Sequence, residues 1–378
     1  MSDRTPRSVC ATALVVAALV SAVPAAHAAP APPDGSVATL LTQLQTLYRQ
    51  AEEASETYNA AEERLKVRRA DEKKVAAGLA RARTALAESR RAAGRLAREQ
   101  YQGRSELSTY LQLLLARDPQ GALDQGHLLR RAADERRVTL ARLARSEQQA
   151  DGLARAARKA LDEQTVLAAR QRTARDEVRA RLKDVEGLLA SLSLDQLAEL
   201  ARLEGEGTAK AQRELLATGA LSGVRAPSEE GEQALRYAVG QLGKPYVWGA
   251  EGPGSYDCSG LTSQAWAHAG RAIPRTSQEQ WAELPRVPLR SLRPGDLVVY
   301  FPKATHVAMY LGDGLVVQAP RPGARVKVSP IAANPLLGAV RPDPTAGPLS
   351  AYRPPKLPPG ATGDGPDTGN DTETAPEV

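Results

Sequence analysis

The sequence predicts a chain in two unlike parts: a long antiparallel α-helical coiled-coil hairpin, then a compact α+β domain. Three observations predict this. Through most of the first half, apolar residues recur at alternating spacings of four and three, the signature of a coiled-coil seam, and Pro119 is the only proline between Ser36 and Pro227. Of the 14 aromatic residues, nine lie between Pro227 and Pro342, so a packed core is expected there. Within that stretch, helix-like segments give way to short apolar runs punctuated by Pro294-Gly295-Asp296 and Gly312-Asp313-Gly314, an order of helices followed by strands.

The chain opens on Arg4 and Arg7, an apolar run from Ala11 to Ala22, and Ala26-His27-Ala28, a small-x-small cleavage site. Together these read as a secretory signal over residues 1–28, so the mature protein is expected outside the cell. Cys10 would leave with the signal. The exported chain then holds one cysteine, Cys258, which has no partner for an internal disulfide. Over 378 residues, 50 basic and 44 acidic side chains leave a net charge of +6. These charges interleave instead of clustering, which argues against a dedicated nucleic-acid binder.

The rod is assigned to residues 36–203. Its first seam runs through Leu40, Leu44, Leu47, Ala51, Ala54, Tyr58, Ala61 and Leu65 to Leu96, and only Arg68, Glu72 and Ser89 break it. A second frame runs from Leu140 through Leu143, Ala150, Ala157, Leu161, Val178 and Val185 to Leu192. The interruption at Arg117-Asp118-Pro119-Gln120-Gly121 predicts where the chain doubles back, and the 57 residues of seam from Leu40 to Leu96 span roughly 85 Å at 1.5 Å per residue. Gly205, Gly207, Gly219 and Gly223 mark residues 204–227 as a breaking helix and linker. Residues 228–342 form the compact domain, with a first helix over 229–242, a second after Cys258, and strands over 297–301, 306–312 and 315–319. Residues 343–378, rich in proline, glycine and acid, read as a disordered tail.

Cys258 stands where a loop becomes a helix, and a helix N-terminus favours thiolate over thiol. A nucleophilic thiol needs a base. His127 lies in the rod, and His268 lies ten residues down the same helix, about 15 Å away, which leaves His306 at the start of a strand. If the following hairpin turns about Asp313, residue 306 pairs near 320. Gln318 then sits diagonally on the same face, within roughly 7–8 Å of backbone separation. Cys258, His306 and Gln318 are therefore a candidate triad, although cysteine and histidine in a core are equally compatible with packing alone. Residues 228–342 carry no ligand cluster with zinc spacing, so no metal or other cofactor is expected.

The strings Tyr246-Val247-Trp248-Gly249, Asp257-Cys258-Ser259-Gly260-Leu261, Pro274-Arg275-Thr276-Ser277-Gln278, Pro294-Gly295-Asp296-Leu297 and His306-Val307-Ala308-Met309-Tyr310-Leu311-Gly312 follow one another at suitable spacing. The set resembles the NlpC/P60 family of cell-wall cysteine peptidases. That resemblance implies a papain-like domain with Cys258 as nucleophile and His306 as base. Gln318 falls at the third polar position, where many members carry histidine. Tyr246 matches a tyrosine that assists the oxyanion or binds substrate, and Asp257 and Ser259 match positions shaping the substrate pocket. Arg275 is either a pocket or a structural residue, and Trp248 and Trp266 are core.

The substrate implied by the resemblance is the peptide stem of peptidoglycan, commonly cut between γ-D-glutamate and a diamino acid, at the cell wall. The rod is similar in architecture to the coiled-coil segment of exported, division-associated members. That likeness implies a membrane-protein regulator contacting it, and no nucleic acid. A glycine-bearing linker would let the rod fold over the Cys258 cleft as a steric cover that leaves the triad's chemistry unchanged. The alternative is a structural or activator protein whose peptidase domain is a vestige.

Overall fold

The computed structural model describes residues 36–101, 119–223, 225–359 and 361. The expected signal, residues 117 and 118 of the expected interruption, and the chain from 362 onward lie outside these residues, while the rest of that interruption, 119–121, is helical. Helix α1, Val37–Tyr101, and helix α2, Pro119–Ala190, lie side by side. Their cross-links run in opposite sequence directions: Arg181 to Gln50 at 3.3 Å, Gln171 to Glu62 at 3.1 Å, Arg68 to Glu163 at 3.7 Å and Arg90 to Glu147 at 3.3 Å. The pair is therefore antiparallel. Leu40, Leu44, Ala51, Ala54, Leu65 and Ala82 of the expected first seam are buried. On α2 the buried line departs from expectation. Leu140 and Leu161 are exposed, while Ser146 and Ala174 are buried beside Ala150, Val178 and Val185. In so alanine-rich a helix, the face turned inward is the one that lets the backbones approach, and a leucine elsewhere stays outside. No helix among the described residues is long and apolar enough to cross a membrane.

The assignment of residues 36–203 to the rod and 204–227 to a linker needs correction. Helix α2 ends at Ala190, and a separate helix α3, Leu194–Ala217, starts at a Ser193 capping box and continues through Gly205 and Gly207. Glycine inside a helix costs about 1 kcal/mol each, and tertiary contacts offset it here. Leu200 is buried among the ends of α1 and α2, and Gln212 bridges the Gly314 carbonyl and the Ala332 amide. Arg321 pairs with Glu204 at 2.9 Å. Helix α3 thus clasps the second domain where a flexible connection was expected.

That domain contains helices α4 (Glu229–Val239), α5 (Cys258–His268) and α6 (Ser277–Glu283). Its sheet is built from β1 (Arg286–Val287), β2 (Leu297–Tyr300), β3 (His306–Gly312), β4 (Leu315–Gln318), β5 (Lys327–Pro330) and β6 (Leu336–Val340). The six strands are antiparallel in the order β1-β6-β2-β3-β4-β5. One face carries Leu297, Val299, Val307, Met309 and Val317 against α4 and α5, with Trp266 fully buried. The other carries Val298, Tyr300, Ala308, Tyr310 and Val316 against Leu215 and Leu221 from the end of α3 and beyond. Covering both faces explains why β2 reads as an unbroken apolar run, Leu-Val-Val-Tyr. The β3–β4 turn uses Gly312, Asp313 and Gly314, all at positive φ, as a tight hairpin requires.

The tail assigned as disordered from 343 also needs correction over its described part. Asp343 is buried between Arg293 and the Ser228 hydroxyl, the Leu349 amide donates to the Pro227 carbonyl, and the Val328 amide donates to the Ala361 carbonyl. Leu357 packs on the core. Composition predicted disorder there, but these contacts hold the strap against the domain.

Candidate active site

Cys258 is the first residue of α5 and Asp257 is its N-cap. The Asp257 carboxylate accepts from the Gly260 amide at 2.6 Å, the Gly249 amide at 2.9 Å and Arg275 at 2.7 Å. This buried carboxylate is a hub that fixes the elbow before Cys258. Gly260 is needed there because a Cβ would fall 2.2 Å from the Ala250 carbonyl oxygen. Arg275 also donates to Ser259 Oγ at 2.9 Å and to Glu251 at 3.0 Å, so it holds the same elbow from outside. Tyr246 is buried near the thiol, and burial first, then Cys258 and Asp257, push its phenol pKa upward.

His306 opens β3 and is fully buried. Met309 pairs with Val317, so residue 306 is diagonal to Gln318, as the hairpin arithmetic predicts. His306 Nε2 donates to Gln318 Oε1 at 2.7 Å. Burial lowers the imidazole pKa to about 4, against smaller upward pulls from the Gln318 bond and Asp257, so the ring is neutral at pH 7. The amide of Val307, next in sequence, hydrogen-bonds the Cys258 sulfur. This bond sets the thiol beside the start of β3. Among the described residues no group of three metal-ligating side chains is assembled.

Sequence reasoning missed what faces this site from the rod. Glu56 of α1 accepts from the Cys258 thiol at 3.7 Å and from Ser259 Oγ at 2.7 Å, and its other oxygen accepts from the Ser277 amide at 2.9 Å. Glu52 approaches His306 Nδ1 at 3.5 Å, and its Oε2 is buried with no hydrogen-bond partner. Asn59 donates to Asp257 at 3.0 Å, Tyr58 meets Trp248 edge to face at 4.8 Å, and Lys303 pairs with Glu53 at 2.5 Å. Trp248, expected in the core, is therefore half-buried at the contact with α1.

A purely steric cover is too simple a description of this contact. Burial, then Glu56, Asp257 and Glu52, raise the Cys258 pKa well above its ordinary value and outweigh the Val307 hydrogen bond. The expected thiolate at the helix N-terminus is thus a neutral thiol. The carboxylates are strained in turn. Burial and Asp257 raise Glu56 to about 7 against its bonds to Ser259 and Ser277, and burial raises Glu52 strongly. The only signal of this contact in the sequence is Tyr48, Glu52, Ser55 and Asn59, spaced 4-3-4 one residue off the seam. A polar stripe of that kind reads as solvated surface.

Residues 243–337 match the NlpC/P60 family. A probable endopeptidase of Corynebacterium glutamicum strain R is 43% identical over 105 residues, which is 25% of this chain and 50% of the relative. The peptidoglycan endopeptidase RipA of Mycolicibacterium smegmatis is 38% identical over 114 residues, 26% of this chain and 23% of its own length. The solved P60 domain of an M. avium subspecies paratuberculosis antigen is 34% identical, with a TM-score of 0.27, over 29% of this chain and 94% of that one. The chain spans half or less of the length of the first curated relatives it matches.

Proposed function

We propose that the NlpC/P60 domain this chain carries cleaves the peptide stems of peptidoglycan at the γ-D-glutamyl–diamino acid bond, with Cys258 as nucleophile. The observation that carries the reading is the His306–Gln318 bond at 2.7 Å. It supports a ring proton on Nε2 and a lone pair on Nδ1, which acts as base once Glu52 withdraws from it. In this mechanism His306 Nδ1 takes the thiol proton and the sulfur attacks the stem carbonyl. The resulting oxyanion forms near Tyr246. The imidazolium then protonates the leaving amine. Water hydrolyses the thioester, with His306 again as base. Ser259 and Arg275 line the approach, and Asp257 holds both in place. Soluble fragments released from purified wall by the full chain, read by mass spectrometry, test this. Cys258→Ala should release none, and EDTA should not inhibit. Release by Cys258→Ala at the wild-type rate would overturn the reading in favour of a structural protein with a vestigial domain.

The same proposal assigns α1 and α2 as a coiled-coil rod that restrains the exported enzyme at the cell wall. Substrate cannot reach Cys258 while Glu56 holds the Ser259 hydroxyl and the Ser277 amide. Two buried carboxylates are a costly way to close a site, which suits a cover meant to open. A membrane partner gripping the far end of the rod would pull α1 away.

A further inference from the structure

The geometry points to Gly205–Gly207 as the hinge at which the cover over Cys258 opens; this deepens, and rests on, the reading of α1 as a restraint. Helix α3 runs from Leu194 to Ala217, yet its two halves pack on different bodies. Before Gly205, Leu200 is buried with Leu40, Leu44, Tyr48 and Val185 of the rod. After Gly207, Gln212 donates to the Gly314 carbonyl at 2.9 Å and accepts from the Ala332 amide at 3.1 Å. Leu215 packs on the outer face of the sheet. Along the chain, the rod and the compact domain are thus joined by one exposed stretch of helix, Gly205-Glu206-Gly207.

The covered state does not require either glycine. A Cβ at Gly205 or at Gly207 would meet nothing beyond its own helix within 4 Å, and neither residue has a positive φ. What the two glycines change is the helix itself, which each makes severalfold easier to break there than alanine would. The Arg202–Glu206 pair at 2.5 Å spans Gly205, but an exposed pair restrains little. Glu204, just before the glycines, holds Arg321 at 2.9 Å, and the Tyr48 ring lies 4.4 Å from the same guanidinium. The hinge therefore lies level with Tyr48, and Glu56 is two turns, about 12 Å, farther along α1. A kink of about 30° there carries Glu56 about 6 Å, which takes it off Ser259 and Ser277. In this motion α1, α2 and the first half of α3 swing as one body, and the Arg321 contacts break. Gln212 and Leu215 keep the second half of α3 on the sheet, so neither body unfolds.

Iodoacetamide alkylation of Cys258 in the full chain, followed at its own peptide by mass spectrometry, reads how often the site is uncovered. Gly205→Ala combined with Gly207→Ala stiffens the hinge without touching a neighbour. Alkylation should then slow by about thirtyfold, the combined helix preference of two alanines over two glycines. Gly187→Ala is the control. It lies at an exposed position of α2 where a Cβ also meets nothing within 4 Å, so it brings the same preference away from the hinge. Its alkylation rate should equal that of wild type. Wild-type alkylation in the double alanine form, or an equal slowing in Gly187→Ala, would overturn the hinge. Glu56→Arg in the same assay separates the hinge from the reading beneath it. Faster alkylation there, beside an unchanged double alanine form, removes the hinge and keeps α1 as a restraint. An unchanged rate in Glu56→Arg removes both.

Discussion

Two stretches of helix α1 share one seam and differ in what they face. From residue 66 outward the helix pairs with α2 through Arg68–Glu163 and Arg90–Glu147, and among the described residues Ala82 and Ser89 are its buried side chains. Between Tyr48 and Asn59 it is buried on two sides, with Tyr48, Ala51, Glu52, Ala54, Ser55, Glu56 and Asn59 all withdrawn from solvent. The outer stretch is held by small buried side chains and solvent-exposed ion pairs, with no buried charge among its described residues. The inner stretch buries two carboxylates against a thiol and an imidazole, an arrangement stable only while many weaker contacts hold it. One helix thus makes two kinds of contact, and the buried carboxylates lie in the inner one.

Four experiments sharpen this contrast, from the largest effect to the smallest. Cys258→Ala should remove wall hydrolysis entirely, in every background, because no other described thiol could take over the attack. Glu56→Arg should place a cation beside Arg275, which already shares the Ser259 hydroxyl with Glu56. Repulsion there should free the cleft and raise full-chain hydrolysis about tenfold or more, since roughly 1.4 kcal/mol of lost docking is enough for that. An unchanged rate would show that α1 does not restrain the enzyme.

The third concerns pH. Docking raises Glu56 from 4.5 to about 7, so the docked state prefers the protonated acid. Its contribution is full below about 4.5 and is lost as pH rises through 7, and Glu52 adds in the same direction. The cover should loosen across that window. Iodoacetamide labelling of Cys258 should therefore rise more steeply with pH in wild type than in Glu56→Gln, where the titration is absent. The fourth and smallest is in the outer stretch. Ala82→Gly should cost about 1 kcal/mol of helix stability, seen as a lower melting temperature by circular dichroism. Hydrolysis should be unaffected, and a change would mean that the two stretches are coupled.

Much of the site was legible in the sequence. Cys258 before a helix, His306 by elimination and Gln318 by hairpin register needed only spacing, because strand alternation and helix pitch are local geometry. Strands β5 and β6 were missed. Lys327–Pro330 and Leu336–Val340 are short and bounded by prolines, and they are strands because β4 and β2 offer them edges. Gly205 and Gly207 misled for the converse reason: their helix is stabilised by partners far away in sequence.

Periodicity and a short interruption were enough to read the two-part plan and the antiparallel helix pair, and spacing alone nominated Cys258, His306 and Gln318. It took the fold to show that α3 clasps the sheet, that residues beyond 343 strap the domain, and that Glu52 and Glu56 lie against His306 and Cys258. The Glu56 contacts join residues some 200 positions apart through polar side chains. A buried carboxylate leaves no hydrophobic period to read, and its role appears only when the fold brings a thiol to face it.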